Sequence, residues 1–220
     1  MSHYFKALAI SSVIGMLATG AQAATVKEVF NGEMLGTNQR YFESIAGIPR
    51  QSYGDSHVFR VQGCDITATI NNGAVASLSM ELGGQCQANL GTFIGDYAPP
   101  AGQTLTPGAF EESSGGGLSY LADCLSLCGN AADPSVYALW EGPRAAGFME
   151  VMLEVVLVDG DALDAASLWQ DHMTKAAGED FVMDTRFNCD RRFDAEAHQA
   201  FKDVKVTAVT IGHGLSTPGC

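Results

Sequence analysis

The chain has 220 residues, with 25 acidic side chains against 12 basic ones and a formal net charge of −13. So acidic a surface repels phosphate backbones and anionic lipid heads, which excludes nucleic acid and membrane surfaces as expected partners. With 46% hydrophobic and 17% charged residues, the composition is that of a globular chain able to bury a core, not of a disordered one.

The first element is a leader. "MSHYFKALAISSVIGMLATGAQA" has a short start carrying Lys6, an apolar run from Ala7 to Ala18, and then Ala21-Gln22-Ala23. A charged start, an apolar centre and a small-x-small site predict a signal peptide over 1–23, cleaved after Ala23. The run is too short to span a bilayer. No later segment is long and apolar enough to do so, and no cysteine follows the cut to take a lipid. These features predict a soluble protein of the periplasm or the medium. All six cysteines (Cys64, Cys86, Cys124, Cys128, Cys189 and Cys220) lie after the cut. An even count in an exported chain reads as disulfides.

A first lobe is expected over 24–98. "NQRYFESIAGIP" is a short helix stopped by Gly47 and Pro49. "SHVFRVQG" is a strand. In "CDITATINNGAVASLSMEL", Cys64, Ile66, Ala68 and Ile70 alternate with polar residues before "NNG", and Ala74, Ala76, Leu78 and Met80 alternate after it. Two period-2 runs joined in this way predict a hairpin. Gly73 supplies the positive φ of a three-residue turn, and Ile70 faces Ala74. The helix ending in "GIP", the aromatic-bearing strand and the hairpin at "NNG" span Asn38 to Leu82. Together they resemble the helix-plus-meander of small outer-membrane assembly lipoproteins and β-lactamase inhibitor proteins. The resemblance implies a lobe able to serve as a protein-binding surface. It transfers no functional residue, and the lipid-bearing cysteine of the assembly lipoproteins is absent here.

Residues 99–119, rich in Pro, Gly, Ser and Thr, read as a long loop or linker. A second α+β lobe is expected over 120–220. "SYLADCLSLCG" reads as a helix capped by Ser119 and stopped by Gly129. "SVYALW" and "FMEVMLEVVLV" read as strands. "DALDAASLWQDHMTKAAG" is a helix capped by Asp161 and ended by Gly178. "FVMDTRF" suggests a strand, "DAEAHQAFKDV" a short helix, and "KVTAVTIG" a closing strand.

The candidate sites divide by chemistry. Three residues intervene between Cys124 and Cys128 rather than the two of a redox dithiol, and the predicted helix puts them at its C-terminal end, where the dipole disfavours a thiolate. A bond across one helical turn has poor geometry, so bonds from this helix to Cys189 and Cys220 are expected, with Cys64 bonded to Cys86. No metal is expected: His57, His172, His198 and His213 show no zinc-like spacing. His172 and His198 read as ordinary helix positions. Gly54-Asp55-Ser56 resembles the nucleophile block of Gly-Asp-Ser ester hydrolases, but it sits in a polar turn before a strand instead of between a buried strand and a helix. "DGDALD" lacks the central Gly and the distal Glu of a calcium loop, and "SSGGG" lacks the strand and Lys of a phosphate loop. Asn130, Asp133, Tyr137 and Trp140 bring polar and aromatic groups close together in sequence, and they are the candidate binding surface.

The sequence therefore predicts a disulfide-stabilised α+β protein: a helix and an antiparallel β-meander, then a second α+β lobe. Its expected role is non-catalytic binding, with another envelope protein as the expected partner and without a cofactor. The alternatives are a serine ester hydrolase using Ser56 and a thiol–disulfide protein using Cys124 and Cys128.

Overall fold

The structure is a computed structural model that describes residues 23–122, 124, 125, 128, 133–143, 148–179, 181, 188–218 and 220. The leader before Ala23, residues 182–187 of the strand expected over 181–187, and Asn130 lie outside the described residues, and Phe181 is helical.

Eight antiparallel strands make one sheet in the order β1-β2-β3-β4-β8-β7-β6-β5. These are β1 (Gln51–Tyr53), β2 (Ser56–Val61), β3 (Cys64–Asn71), β4 (Ala74–Glu81), β5 (Leu118–Ala122), β6 (Ser135–Trp140), β7 (Glu150–Val156) and β8 (Ala208–Gly212). Among the described residues the α-helices are α1 (Val26–Val29), α2 (Gln39–Ala46), α3 (Gly91–Ile94), α4 (Pro107–Ser114), α5 (Gly160–Ala177) and α6 (Asp194–Phe201). The α+β class and the disulfides expected from the sequence are present.

The hairpin forms where the alternation places it, with a different register. Asn71 pairs with Ala74, so the turn has two residues. Asn72 and Gly73 both take positive φ, 52° and 78°, as a type I′ turn requires. Ile70 faces Val75, not Ala74, and the register shifts there so that Ala68 faces Leu78 and Ile66 faces Met80. Ala76 is the extra residue of a bulge. It moves Val75 into the core and returns Leu78 and Met80 to the same face.

β8 joins the two halves. It pairs with β4 on one side and β7 on the other, with Leu78 and Val151 both opposite Ile211. The sheet thus runs unbroken across the segment read as a linker. That segment itself holds α4, capped by Thr106 Oγ1 accepting from the Ala109 N–H and ended by Gly115 in the left-handed region.

The register places side chains from each of β2 to β8 on a common face: Phe59, Ile66, Leu78, Ile211, Val151, Trp140 and Leu118 all point to it, and all are buried. The helices cover this face and form a single core with it. Phe42 of α2 meets Phe59 edge-on at 5.0 Å, Phe110 of α4 meets Trp140 at 5.6 Å, and Phe201 of α6 packs on Tyr120 and Trp169.

Two expectations fail in the second half. Residues 118–122 are a strand and not the start of a helix. All five are buried, so no polar alternation marks them. Their leucines fall at a spacing that a helix would also explain. The cysteine pairing fails with it. Cys124 bonds Cys128, with Cα atoms 5.5 Å apart, and Cys189 bonds Cys220. The geometric objection to the local bond held only for a helical turn. Cys64–Cys86 forms as expected. A smaller correction concerns α5. Its N-cap is Asp159, whose carboxylate accepts from the Ala162 N–H, and Asp161 lies in the first turn.

Candidate functional site

Among the described residues, the densest polar cluster lies where α4, α6 and β5 meet. α6 carries Asp194, His198 and Lys202 at four-residue spacing, so the three share one helical stripe. Ala197 and Phe201 form the neighbouring apolar stripe and anchor the helix in the core. Glu111 on α4 faces His198, with Oε2 2.8 Å from Nδ1, while Oε1 accepts the Leu118 N–H at 3.2 Å. The Tyr120 hydroxyl also approaches Nδ1, at 3.2 Å. A carboxylate at that distance fixes the ring proton on Nδ1, leaving Nε2 directed away from the cluster.

Beneath the histidine the network runs into the core, with Tyr120 and Asn188 buried and Asp194 half-buried. Asn188, with no exposed surface, donates from Nδ2 to Tyr120 O at 2.9 Å and to Asp194 Oδ1 at 2.6 Å. Its Oδ1 accepts the Phe193 N–H at 2.6 Å. Asp194 Oδ1 also accepts the Tyr120 N–H at 2.9 Å. Burial raises the Asp194 pKa above the usual carboxylate range, against the lowering effect of these two hydrogen bonds and of Arg191. Burial and the nearby Glu111 and Asp194 carboxylates push the Tyr120 phenol far up, so it stays protonated. The cluster ties β5, α4, α6 and the 188–193 turn together. It also presents one carboxylate-held imidazole to solvent.

The opposite face of the sheet differs. Across β2, β3, β4, β8 and β7, one row reads Val58, Thr67, Ser79, Thr210 and Met152, and the next reads Ser56, Thr69, Ser77, Gly212 and Glu150. Apart from the buried Ser77 and Gly212, the residues of both rows are partly exposed. The Thr210 hydroxyl donates to Ser79 Oγ at 3.0 Å. Towards β6 and β5 this face is covered again: Ser119, Leu121, Ser135 and Leu139 are all buried.

The residues singled out in the sequence do not converge. Trp140 points into the core, against Phe110 and Phe148, whereas Tyr137 projects from the other face. Asp133 is exposed. The candidate surface of Asn130, Asp133, Tyr137 and Trp140 is therefore not one surface. Ser56 lies opposite Tyr53 and Thr69. The serine that meets a histidine is Ser52, whose Oγ is 2.9 Å from His57 Nδ1 on the exposed edge of the sheet. Among the described residues no carboxylate is paired with His57. Also among them, no group of three or more His, Cys, Asp or Glu side chains is arranged to hold a metal, and no helix is long and apolar enough to cross a membrane. His198 was legible only as a helix position. Its signal was the Asp194, His198 and Lys202 spacing, and the Glu111 that completes the pair comes from the segment read as a linker.

Compared with protein-family models, curated proteins and solved structures, the chain matches none.

Proposed function

We propose that the protein is exported and acts as a non-catalytic binding or accessory protein of the cell envelope, offering the uncovered face of its sheet to another envelope protein. The observation that supports this is the inequality of the two faces. Among the described residues, the helices named above pack on the apolar side, and the other side of five adjacent strands carries mainly short hydroxyl side chains. Five strands span roughly 19 Å at ordinary spacing, wide enough for a folded partner. Serine and threonine lose little rotamer entropy when a partner orders them, and covering them strips no charge of water. The helix-plus-meander resemblance of residues 38–82 to β-lactamase inhibitor proteins points the same way.

The test is site-specific photo-cross-linking in intact cells. A photoreactive residue at Thr67 or Thr210 is expected to capture a discrete envelope protein. The same residue at Leu168, exposed on the outer side of α5, is the control. Capture from neither face position, or equal capture from Leu168, would remove the proposal. Labelling of Ser56 by a serine-directed phosphonate would replace it with the hydrolase reading.

One observation favours a second reading. Cys124 and Cys128 are bonded to each other, and both are partly exposed, which suits exchange with an external dithiol. In that exchange an incoming thiolate attacks one sulfur, the other leaves as a thiolate, and the second external thiol resolves the mixed disulfide. A Cys128→Ser variant that accumulates a mixed disulfide with another envelope protein would support it. A variant that remains monomeric and unmodified would end it.

A further inference from the structure

We propose that the cleft between the 82–90 loop, the 99–105 segment and the chain entering β8 binds a compact apolar molecule bearing one carboxylate. None of its lining residues belongs to the two open rows of the sheet, so the site does not depend on the proposed docking face. The cleft is about 160 Å³. A cavity of about 150 Å³ with apolar walls takes up benzene, which sets the size of the ligand body. Of the apolar lining residues, Leu90 and Val206 are buried, and Leu82, Ala88, Pro99 and Leu105 are half-buried. Leu82, Ala88 and Leu105 pack against the core while also lining the cleft.

The walls are fixed before any ligand arrives. Cys86 ties the loop to β3 through Cys64, and Gly83 and Cys86 exchange N–H···O bonds at 3.1 and 2.8 Å. The Leu82 N–H donates to Thr207 O at 2.7 Å, and the Val206 N–H to Leu105 O at 3.0 Å. Pro99 and Pro100 restrict the remaining wall. A site held open in this way loses little freedom on binding. The sign of the ligand follows from the charges around it. The chain has 25 acidic residues, yet among the described residues Lys205 is the only charged one lining this cleft. Lys205 is exposed and, among the described residues, has no ion-pair partner. Gln87, Gln103 and Thr104 also line the cleft, and their amide and hydroxyl groups can donate to a carboxylate without adding charge. One ammonium on a flexible stem beside an apolar slot selects an apolar acid over a neutral molecule of the same shape. A second carboxylate would find no second cation there, and the chain's negative charge would oppose it.

The first probe is benzoate, titrated into the disulfide-intact protein at about 0.15 M salt, where charges more than about 8 Å away are screened. NMR follows the amide resonances of Leu82, Ala88, Leu105 and Val206. Saturable shifts are expected with a Kd of about 1 mM, the range of so small a ligand. Benzyl alcohol keeps the ring and loses the charge, and it is expected to bind about tenfold more weakly. Acetate keeps the charge and loses the ring, and it is expected not to saturate at these concentrations. Lys205→Gln is expected to weaken benzoate about tenfold. Lys175→Gln removes the same charge from the last turn of α5 and is expected to leave binding unchanged. A free acid and the C-terminus of a peptide share this chemistry, so N-acetylglycyl-phenylalanine is titrated in parallel. Tighter binding of benzoate assigns the site to a free acid, and tighter binding of the peptide assigns it to a chain terminus. Either result supports the site. No saturable shift with either acid overturns it. So does benzyl alcohol or acetate binding as tightly as benzoate, or equal affinity of Lys205→Gln and Lys175→Gln. The benzyl alcohol comparison needs no variant, so the proposal stays open to refutation even if a substitution disturbs folding.

Discussion

The two ends of the sheet share one covered face and differ on the other. On β2 to β4 the second face is polar and open, with Thr67, Thr69 and Ser79 partly exposed. On β5 and β6 it is closed, with Leu121, Leu139 and two serines buried. The same antiparallel pairing thus supports two environments, and what covers each strand decides its sequence pattern. A half-open strand must alternate, whereas a doubly covered one need not. The join between them is β8. Its Gly212 meets the bulge of β4 so closely that a Cβ would lie 2.5 Å from both Ala76 O and Ser77 Cβ, and 2.7 Å from Ser77 Cα.

That join is the most sensitive point of the comparison. Gly212→Val has nowhere to place its side chain, since the obstructing atoms belong to backbone or to the first carbon of Ser77. Overpacking of this kind costs about 3 kcal/mol or more. Urea denaturation should show that loss, or a failure to fold. A loss below about 1 kcal/mol, the low end of such penalties, would mean that β4 and β8 are not so tightly apposed.

The next contrast holds the face constant and varies only its cover. Leu139 and Thr67 lie in the same cross-strand row on the same face. Leu139→Ala should cost about 3 kcal/mol, as truncation of a buried leucine does. Thr67→Ala should change stability by no more than about 0.5 kcal/mol, as at other open surface positions. Equal costs would erase the distinction between open and closed ends.

This distinction also explains what was legible in the sequence. Cys64 to Met80 announced itself because one face is core and the other is not, while the two-residue turn and the one-residue bulge at Ala76 escaped the pattern. Leu118 to Ala122 did not, because both faces are buried and its leucines fit a helix as well as a strand. Helix α4 was hidden in a Gly- and Ser-rich stretch, although Thr106-Pro107 is a cap followed by a first-turn proline. Missing α4 meant missing Glu111, and without Glu111 the histidine of α6 had no partner. The pairing of the cysteines followed the misread helix.

The disulfides give a smaller contrast between the halves. Cys64–Cys86 closes a loop with a sequence separation of 22, and Cys124–Cys128 one of only 4. Constraining the unfolded chain should be worth about 3 kcal/mol for the first and about 2 kcal/mol for the second, before native-state strain. Replacing each pair by alanines and comparing urea midpoints measures the difference. A larger loss from the local pair would show that it does more than close its own loop.

The smallest expected effect is electrostatic, and its sign differs between the ends of the molecule. Near the start, Thr25 caps α1 while the Glu28 carboxylate accepts the Thr25 N–H, which lowers the Glu28 pKa below its ordinary value. Its contribution is present above the unfolded pKa and is lost as pH falls through the folded one. Asp194 in the second half behaves oppositely. Burial raises its folded pKa, so its contribution is fully present below the unfolded pKa, about 3.9, and is lost as pH rises through the folded value. Asp194→Asn keeps an oxygen able to accept from both the Tyr120 N–H and the Asn188 amide, and it no longer titrates. The stability of this variant relative to the parent should therefore climb as pH is raised from about 4 towards 7. For Glu28→Gln the relative stability should fall over the same range, because the parent gains there what the amide cannot. Parallel denaturation series at several pH values read both slopes. A flat or falling profile for Asp194→Asn would mean that the carboxylate is held by Asn188 and Tyr120 more strongly than burial opposes it. The buried network would then stabilise its charge at no net cost.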